Sequence, residues 1–519
     1  MKFKHIIASA AVAAGLLTLG SCQSKLDIPQ HSVTNIGSFY KTDTDAEEGI
    51  VAVYDQFKTC HSGGINSVCW LANFLGDDLW AGGGSRADGS FYQWSEYTFG
   101  SDNATIKNLY AGLYTLIYRA NLIIERVSPD TEVKKRAVAE AKVFRAWANF
   151  QLVTLWGPAP LVDHVLSEKE YMQSNSTVEN LWAAVETDLN DAIGSGNLTS
   201  KKQMSDVTFR VTKEFAQAML GKAYLWQKKY SDAATEFENV IKTELFDLNP
   251  DLTNFGTPDA VAGIEDVFVM RAVNDAATTS PNVTYHGMWT GLRGEKYKYT
   301  SESPFWSYTF GFQNNPTKAL YDTFVKIEGK NGYRLTNFIA TYDEMVNKYG
   351  TSINDDMDIY DNEGYYNHKY RVIKPAGRPY YYPLTDHIMR YDEVLIFAAE
   401  AQFQAGNTGR AKELINKIRT RAKAPEVSDV TLQIIKDESY VELCFEGLRY
   451  QNIIRWGEAA DRLANRGATH PHLYPDGTVK YVRYNDDGKV GFKKNKHELL
   501  PFPAEEMNVN PNMKQNPGW

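Results

Sequence analysis

Downstream of its N-terminal segment the sequence has no apolar run long enough to cross a bilayer as a helix, which excludes a protein built on membrane-spanning helices. Positive charge is in deficit as well. Lys and Arg number 55 against 64 Asp and Glu, a net charge of −9, and this balance argues against a nucleic-acid-binding surface. Catalytic signatures are missing: there is no His-Glu-x-x-His zinc helix, no Gly-x-Ser-x-Gly nucleophile elbow and no phosphate loop. Asp355, Asp356, Asp358, Asp361 and Glu363 form an acidic cluster. No glycine falls where a calcium-binding EF-hand needs its sharp turn, so the cluster reads as a solvated loop. No cofactor and no metal are expected. Carboxylate pairs suited to glycoside hydrolysis are defined only in three dimensions, and the sequence singles none out. Cysteine is scarce, at four residues. Cys60 and Cys69 are near enough in sequence to bridge in an oxidising compartment if their geometry allows it. Cys444, in an apolar helical stretch, reads as a buried thiol.

What is present begins with an export signal. Lys2 and Lys4 precede a stretch over 6–19 that is almost wholly small or apolar, a secretory core too short to remain as a span. Leu19-Gly20-Ser21-Cys22 then sets small residues before a cysteine, the pattern of a bacterial lipobox. Residues 1–21 are therefore expected to be a lipoprotein signal peptide and Cys22 the lipid anchor. Residues 22–38 should form a flexible tether ahead of a single domain over 39–519. Each buried lipid methylene contributes ~0.8 kcal/mol, so two or more chains hold far more firmly than one.

Aromatic residues are abundant, with 11 Trp and 31 Tyr. Such rings fill cores, and they also stack on flat apolar faces such as those of sugars. Helical spacing of apolar residues predicts helices over 46–57, 105–127 and 132–155, the last stopping before the breaker pair Gly157-Pro158. Further helices are expected over 177–193, 212–228, 230–242, 385–405, 408–422 and 429–455. Leu220, Gly221, Tyr224, Tyr230, Ala233 and Phe237 fall at tetratricopeptide spacing, and a weaker copy uses Ala399, Gly406, Ala411 and Ile415. One such unit cannot bury its own apolar face, so the pairs should stack with other helices into a solenoid-like body. The helical period fades near 60–102 and 245–384, where Gly, Pro, Asn, Asp and Tyr are dense. Large aromatics are too frequent there for disorder. The fold class is mostly α: a tetratricopeptide-like helical scaffold presenting two long aromatic-rich loop regions.

Four segments carry a family pattern. They are RAWANFQLVTLWG at 145–157 with PAPLV after it, MRYDEVLIFAAEA at 389–401, and DESYVELCFEGLR at 437–449 with RWG at 455–457. The fourth combines LPFP at 500–503 with the ending NPGW at 516–519. In this order, and behind a lipobox, they resemble the motifs of the SusD/RagB nutrient-uptake lipoproteins over the length of the chain. Asp392 stands where that family usually has alanine, Phe502 replaces a common isoleucine, and Glu438-Ser439 replaces Glu-Arg. The residues after Cys22 are only mildly acidic, which leaves a weak surface-export signal. The motif charges Glu442, Glu446, Arg449 and Arg455 are expected to pair internally and hold helices in register, leaving ligand contact to the loops.

The resemblance implies a SusD-like fold and a binding protein rather than an enzyme. Such a protein sits on the outer leaflet of the outer membrane, facing the cell exterior, over a SusC-like TonB-dependent transporter. It captures oligo- or polysaccharide for import. A saccharide site combines an apolar platform with a few placed polar groups. The platform candidates are Trp80 and Trp94 in the first loop region and Trp289 and Trp306 in the second, each of which has a core role as its alternative. Asp77, Asp78, Arg86, Arg293 and Asn314 are the candidate polar partners. A peptide-capturing RagB-like protein and a surface glycoside hydrolase are the competing readings, and the aromatic loops favour sugar over peptide.

Overall fold

Five scaffold helices start on a polar side chain that satisfies their first backbone N–H groups. Thr42 opens Asp43–His61 in a capping box with Asp45, Asn103 opens Ala104–Arg126, and Thr131 opens Glu132–Trp156. Thr177 and Thr212 do the same for Val178–Gly194 and Lys213–Trp226. Such a cap typically contributes ~1 kcal/mol. Behind the caps, apolar side chains recur on one face, as Ile106, Leu109, Leu113, Ile117 and Ala120 do, and all five are buried. Asp43–His61, Ala104–Arg126, Glu132–Trp156, Val178–Gly194, Lys213–Trp226 and Tyr230–Ile241 each pack on the next in that order. The computed structural model describes residues 39–519 except 87–90, 204–209, 258–262, 272–289, 306, 309–310, 312–313 and 374–383. The expected signal peptide, Cys22, the expected tether over 22–38, Trp289 and Trp306 lie outside the described residues.

The repeat signature has a steric basis. A Cβ built on Gly221 would lie 2.9 Å from the Phe237 ring, so only glycine lets Lys213–Trp226 and Tyr230–Ile241 close to this distance. Tyr230–Ile241 then packs against Tyr391–Gln404, with the Phe237 and Phe397 rings 6.3 Å apart between centroids. Tyr391–Gln404 pairs in turn with Thr408–Arg421. Two units far apart in sequence thus bury each other's apolar faces, as the solenoid expectation requires.

The structure departs from the expected elements in three places. Over 385–405, Asp386–Arg390 is a strand, antiparallel to Asp266–Met270, and the helix begins only at Tyr391. Over 429–455 there are two helices, Leu432–Glu442 and Arg449–Arg455. Between them Phe445 and Gly447 take positive φ, and a Cβ on Gly447 would fall 2.6 Å from Cys69 Cα. The stretch near 245–384, read as loop, holds the helices Lys318–Glu328, Tyr333–Phe338 and Tyr342–Asn347 with several short strand pairs. The stretch near 60–102 holds Val68–Leu75 and Phe91–Glu96. These pieces span two or three turns at most, too short for a period to register. Cys60, Cys69 and Cys444 are free, buried thiols.

The motif charges meet in a buried ionic network. Arg334, fully enclosed, reaches Glu328, Glu438 and Glu442 at 2.6–2.8 Å. Arg421 joins Glu442 at 2.7 Å and Glu265 at 3.3 Å, and Arg390 joins Glu265 at 3.0 Å and Glu446 at 2.7 Å. Lys369 also bonds Glu446, and Asp392 bonds Arg390. Arg449 and Arg455 pair with Asp77 and Glu400. The network ties the Asp266–Met270/Asp386–Arg390 sheet to the Leu432–Glu442 helix, so these charges serve the fold.

Candidate functional site

The turn after Val68–Leu75 carries Asp77, Asp78 and Trp80. Trp80 N donates to Asn315 O at 2.8 Å, which ties this turn to the start of Lys318–Glu328. The Trp80 indole N–H donates to Glu363 Oε2 at 3.0 Å, and the Arg466 guanidinium lies 4.2 Å from its ring. Trp80 is 8% exposed, so only an edge meets solvent. Asp77 is drawn into the fold by Arg449, which donates to its two oxygens at 2.5 and 3.0 Å. Burial works to raise the Asp77 carboxyl, but Arg449, Arg462 and Arg466 outweigh it and hold it below the usual carboxylate range. At Asp78 the balance reverses: burial and the neighbouring Asp77 charge outweigh the help from Arg449 and push it up to about 6.

Arg86 and Glu96 form the centre of a second group. Arg86 Nε and Nη2 donate to Glu96 Oε1 and Oε2 at 2.7 and 2.9 Å. The guanidinium lies 4.1 Å from the Tyr92 ring and 5.3 Å from the Tyr484 ring. His470 sits beneath, fully buried, with Nδ1 2.6 Å from Asp361 Oδ1 and Nε2 3.1 Å from Glu96 Oε1. Its ring stacks on Tyr360 at 5.4 Å and lies 5.9 Å from Trp80, so the two groups share one cluster. Burial works to raise the Glu96 carboxyl, but hydrogen bonds from His470, Arg86 and Asn485 outweigh it and hold it at about 2.

Two exposed tyrosines lie on and just beyond the adjoining hairpin. His470–Leu473 pairs with Val479–Val482 on one side and with Ile359–Tyr360 on the other. Tyr481 is 54% exposed and Tyr484 41%, yet each hydroxyl is anchored. Tyr481 donates to Glu363 Oε1 at 2.7 Å, and Tyr484 OH lies 3.0 Å from His472 Nε2, whose Nδ1 bonds Asp358. Rings held in water by their own hydroxyls lose little freedom on binding, which suits a platform. The acidic cluster therefore differs from a solvated loop. Asp358, Asp361 and Glu363 each hold an aromatic or histidine side chain, and Asp355 pairs with Lys298 at 2.5 Å. Among the described residues no group of three or more His, Cys, Asp or Glu is placed to hold a metal ion.

The remaining candidates lie elsewhere. Trp94 is fully enclosed, its ring 5.0 Å from Phe99, and presents no face to a ligand: it moves from platform to core. Asp78 and Asn314 are likewise enclosed. Arg293 bonds Glu295 beside the short parallel pair Leu292–Arg293/Ser307–Tyr308. Tyr481, Tyr484, His470 and His472 fall outside both stretches read as loop. The readable signal for them was Pro475-Asp476-Gly477 between two extended runs, a hairpin turn.

Burial works to lower the His470 imidazole, but Asp361 and Glu96 outweigh it and raise it to about 9. A histidine raised above its unfolded value near 6.5 contributes stability that is complete below that pH and lost as pH climbs through 9. The expected loss in urea unfolding between pH 6.5 and 10 is on the order of 3 kcal/mol. His470→Gln should remove this slope; an unchanged slope would place the imidazolium elsewhere.

Two family models match the chain: one described as the SusD family over residues 289–519, the other as starch-binding associating with outer membrane over 82–225. A SusD-like protein of Formosa agariphila is 27% identical, covering 97% of this chain and 98% of its own. A solved laminarin-binding SusD-like protein superposes with a TM-score of 0.77 at 26% identity, over 92% of this chain and 100% of that one. Surface glycan-binding protein A from Bacteroides thetaiotaomicron, solved with laminarihexaose, shares the fold with a TM-score of 0.71 at 21% identity, over 91% and 99%.

Proposed function

Because the chain belongs to the SusD family, we propose that it captures oligo- or polysaccharide at the cell surface and delivers it to a SusC-like TonB-dependent outer-membrane transporter. Cys22 would carry the lipid anchor on the outer leaflet, and the segment 22–38 would be the tether that lets the protein swing over its partner. The observation that carries the saccharide reading is the exposed Tyr484, fixed by its hydroxyl beside the Arg86 guanidinium, with a second exposed ring, Tyr481, anchored to Glu363. Flat rings offer stacking to the apolar face of a pyranose, and Arg86 offers donors to its hydroxyls. Trp80 contributes an edge to the same cluster, and Trp289 and Trp306 remain candidates for further platforms. The carboxylates on this face are spent on structure. Glu96 is held deprotonated, and Glu363 accepts from Tyr481, Trp80 and the backbone of Lys318. The chemistry offered is binding rather than proton transfer.

Laminarin, the ligand named for the solved relative at 26% identity, heads the panel to be tried. The test is electrophoresis of the purified protein through polysaccharide gels, with reducing ends assayed in parallel. Retardation without new reducing ends is expected. New reducing ends would make the protein a hydrolase, and binding to peptides alone would favour the RagB-like reading. Protease shaving of whole cells tests the address, and a fully protected protein would overturn surface display.

A further inference from the structure

A concave feature of the scaffold shares no residue with the tyrosine face. A cleft of about 440 Å³ opens between the first three turns of Ala104–Arg126, the segment 160–173 and the helix Ala504–Val509. Its volume lies in the roughly 300–1,000 Å³ range of small-ligand sites. Tyr110, Tyr114, Pro160 and Pro503 give it apolar ring faces, and exposed Ala111 leaves space between them. Tyr171, 60% exposed, stands at its mouth. The polar complement comes from Lys107 and Glu505, paired at 2.9 Å, and from Asn510.

The segment bearing Tyr171 is clamped. Asn510 Nδ2 donates to Gln173 O at 2.8 Å and Asn512 Nδ2 to Met172 O at 2.7 Å. Asn175 Nδ2 donates to Lys514 O at 3.1 Å, and Lys514 N returns the bond to Asn175 Oδ1 at 2.7 Å. An aromatic ring carried into water on a clamped backbone contributes little to folding, and its backbone needs no ordering when a ligand binds. The cleft is also coupled in structure to the tyrosine face. Gln93, next to Tyr92, accepts from Asn103 Nδ2 at 3.1 Å, and Asn103 caps the helix whose next turn supplies Lys107 and Tyr110.

We propose that this cleft is a second saccharide site, taking another stretch of the same polymer that the tyrosine face binds. The proposal rests on the saccharide reading of that face. Rings with amide, ammonium and carboxylate groups at their edges match a pyranose, apolar on its faces and hydroxylated at its rim. A protein partner instead needs a broad surface of about 800 Å² on each side, for which a recess of this size is too small. Two linked contacts on one polymer raise avidity by about 10²–10⁴ over either alone.

Calorimetric titration with laminarin oligosaccharides, followed by gel affinity for whole laminarin, tests the cleft on the full-length protein. The native chain should bind about two short oligosaccharides. Tyr171→Ala and Ala111→Trp, one removing a ring and one filling the space, should each bind one and lose at least about tenfold in affinity for the polymer. Tyr171→Phe should restore both. A single native site abolished by Tyr484→Ala and untouched by the cleft variants would overturn the second site while leaving the first standing. No saccharide binding at all would bring down the reading it rests on. Loss of transporter co-purification by Ala111→Trp, with saccharide stoichiometry unchanged, would make the cleft a protein contact and overturn the proposal.

Discussion

Arg334→Ala is expected to lower the free energy of unfolding by about 3–5 kcal/mol, because it strands buried carboxylates without their counter-charge. Glu328, Glu438 and Glu442 converge on this one guanidinium, which is wholly enclosed. Arg419 still reaches Glu438 and Arg421 still reaches Glu442, but Glu328 has no second cation among its described ion pairs. The mutual repulsion of the three would rise in a setting where water cannot screen it. Urea unfolding at neutral pH measures the loss. Pairing Arg334→Met with Glu328→Gln should recover part of it, a non-additivity expected of groups in one network. The deficit should also shrink as pH falls into the carboxylate range, since protonation removes the stranded charge. A cost below about 1 kcal/mol, the size of an exposed pair such as Lys107–Glu505, would show that this guanidinium is not what ties Lys318–Glu328 and Tyr333–Phe338 to Leu432–Glu442.

Replacing both exposed tyrosines should act in the opposite sense, on binding and not on stability. Tyr481 and Tyr484 present their rings to water, and their hydroxyl bonds end on Glu363 and His472, which keep other partners. Their removal should change unfolding by about 1 kcal/mol or less. A ring that anchors a ligand contributes about 2 kcal/mol or more, about 30-fold in Kd. Tyr484→Ala with Tyr481→Ala is therefore expected to weaken saccharide binding by at least 30-fold at unchanged thermal midpoint. Tyr484→Phe should stay close to native, because it keeps the stacking face and gives up only the hydroxyl. Native affinity in the double variant would move the platform elsewhere, with Trp289 and Trp306 as the next rings to change.

The sequence by itself determined the scaffold, because the information for a long amphipathic helix is local. The predicted 105–127 and 132–155 correspond to Ala104–Arg126 and Glu132–Trp156, and the Gly221–Phe237 contact follows from repeat spacing alone. The family motifs were equally legible, since their charges are fixed in type by the partners they meet. Tertiary structure decided the rest. Asp386–Arg390 is a strand only because Asp266–Met270, over a hundred residues earlier, pairs with it. Leu432–Glu442 ends where Gly447 must pass against Cys69. The functional face shows the same division. Chemistry and loop position pointed to Trp80 and Arg86, and both stand in one cluster around His470. Nothing local distinguished Trp94, which packs on Phe99, from a platform ring, or marked Tyr484 as one. Exposure is a property of what the rest of the chain covers, and only the folded chain sets it.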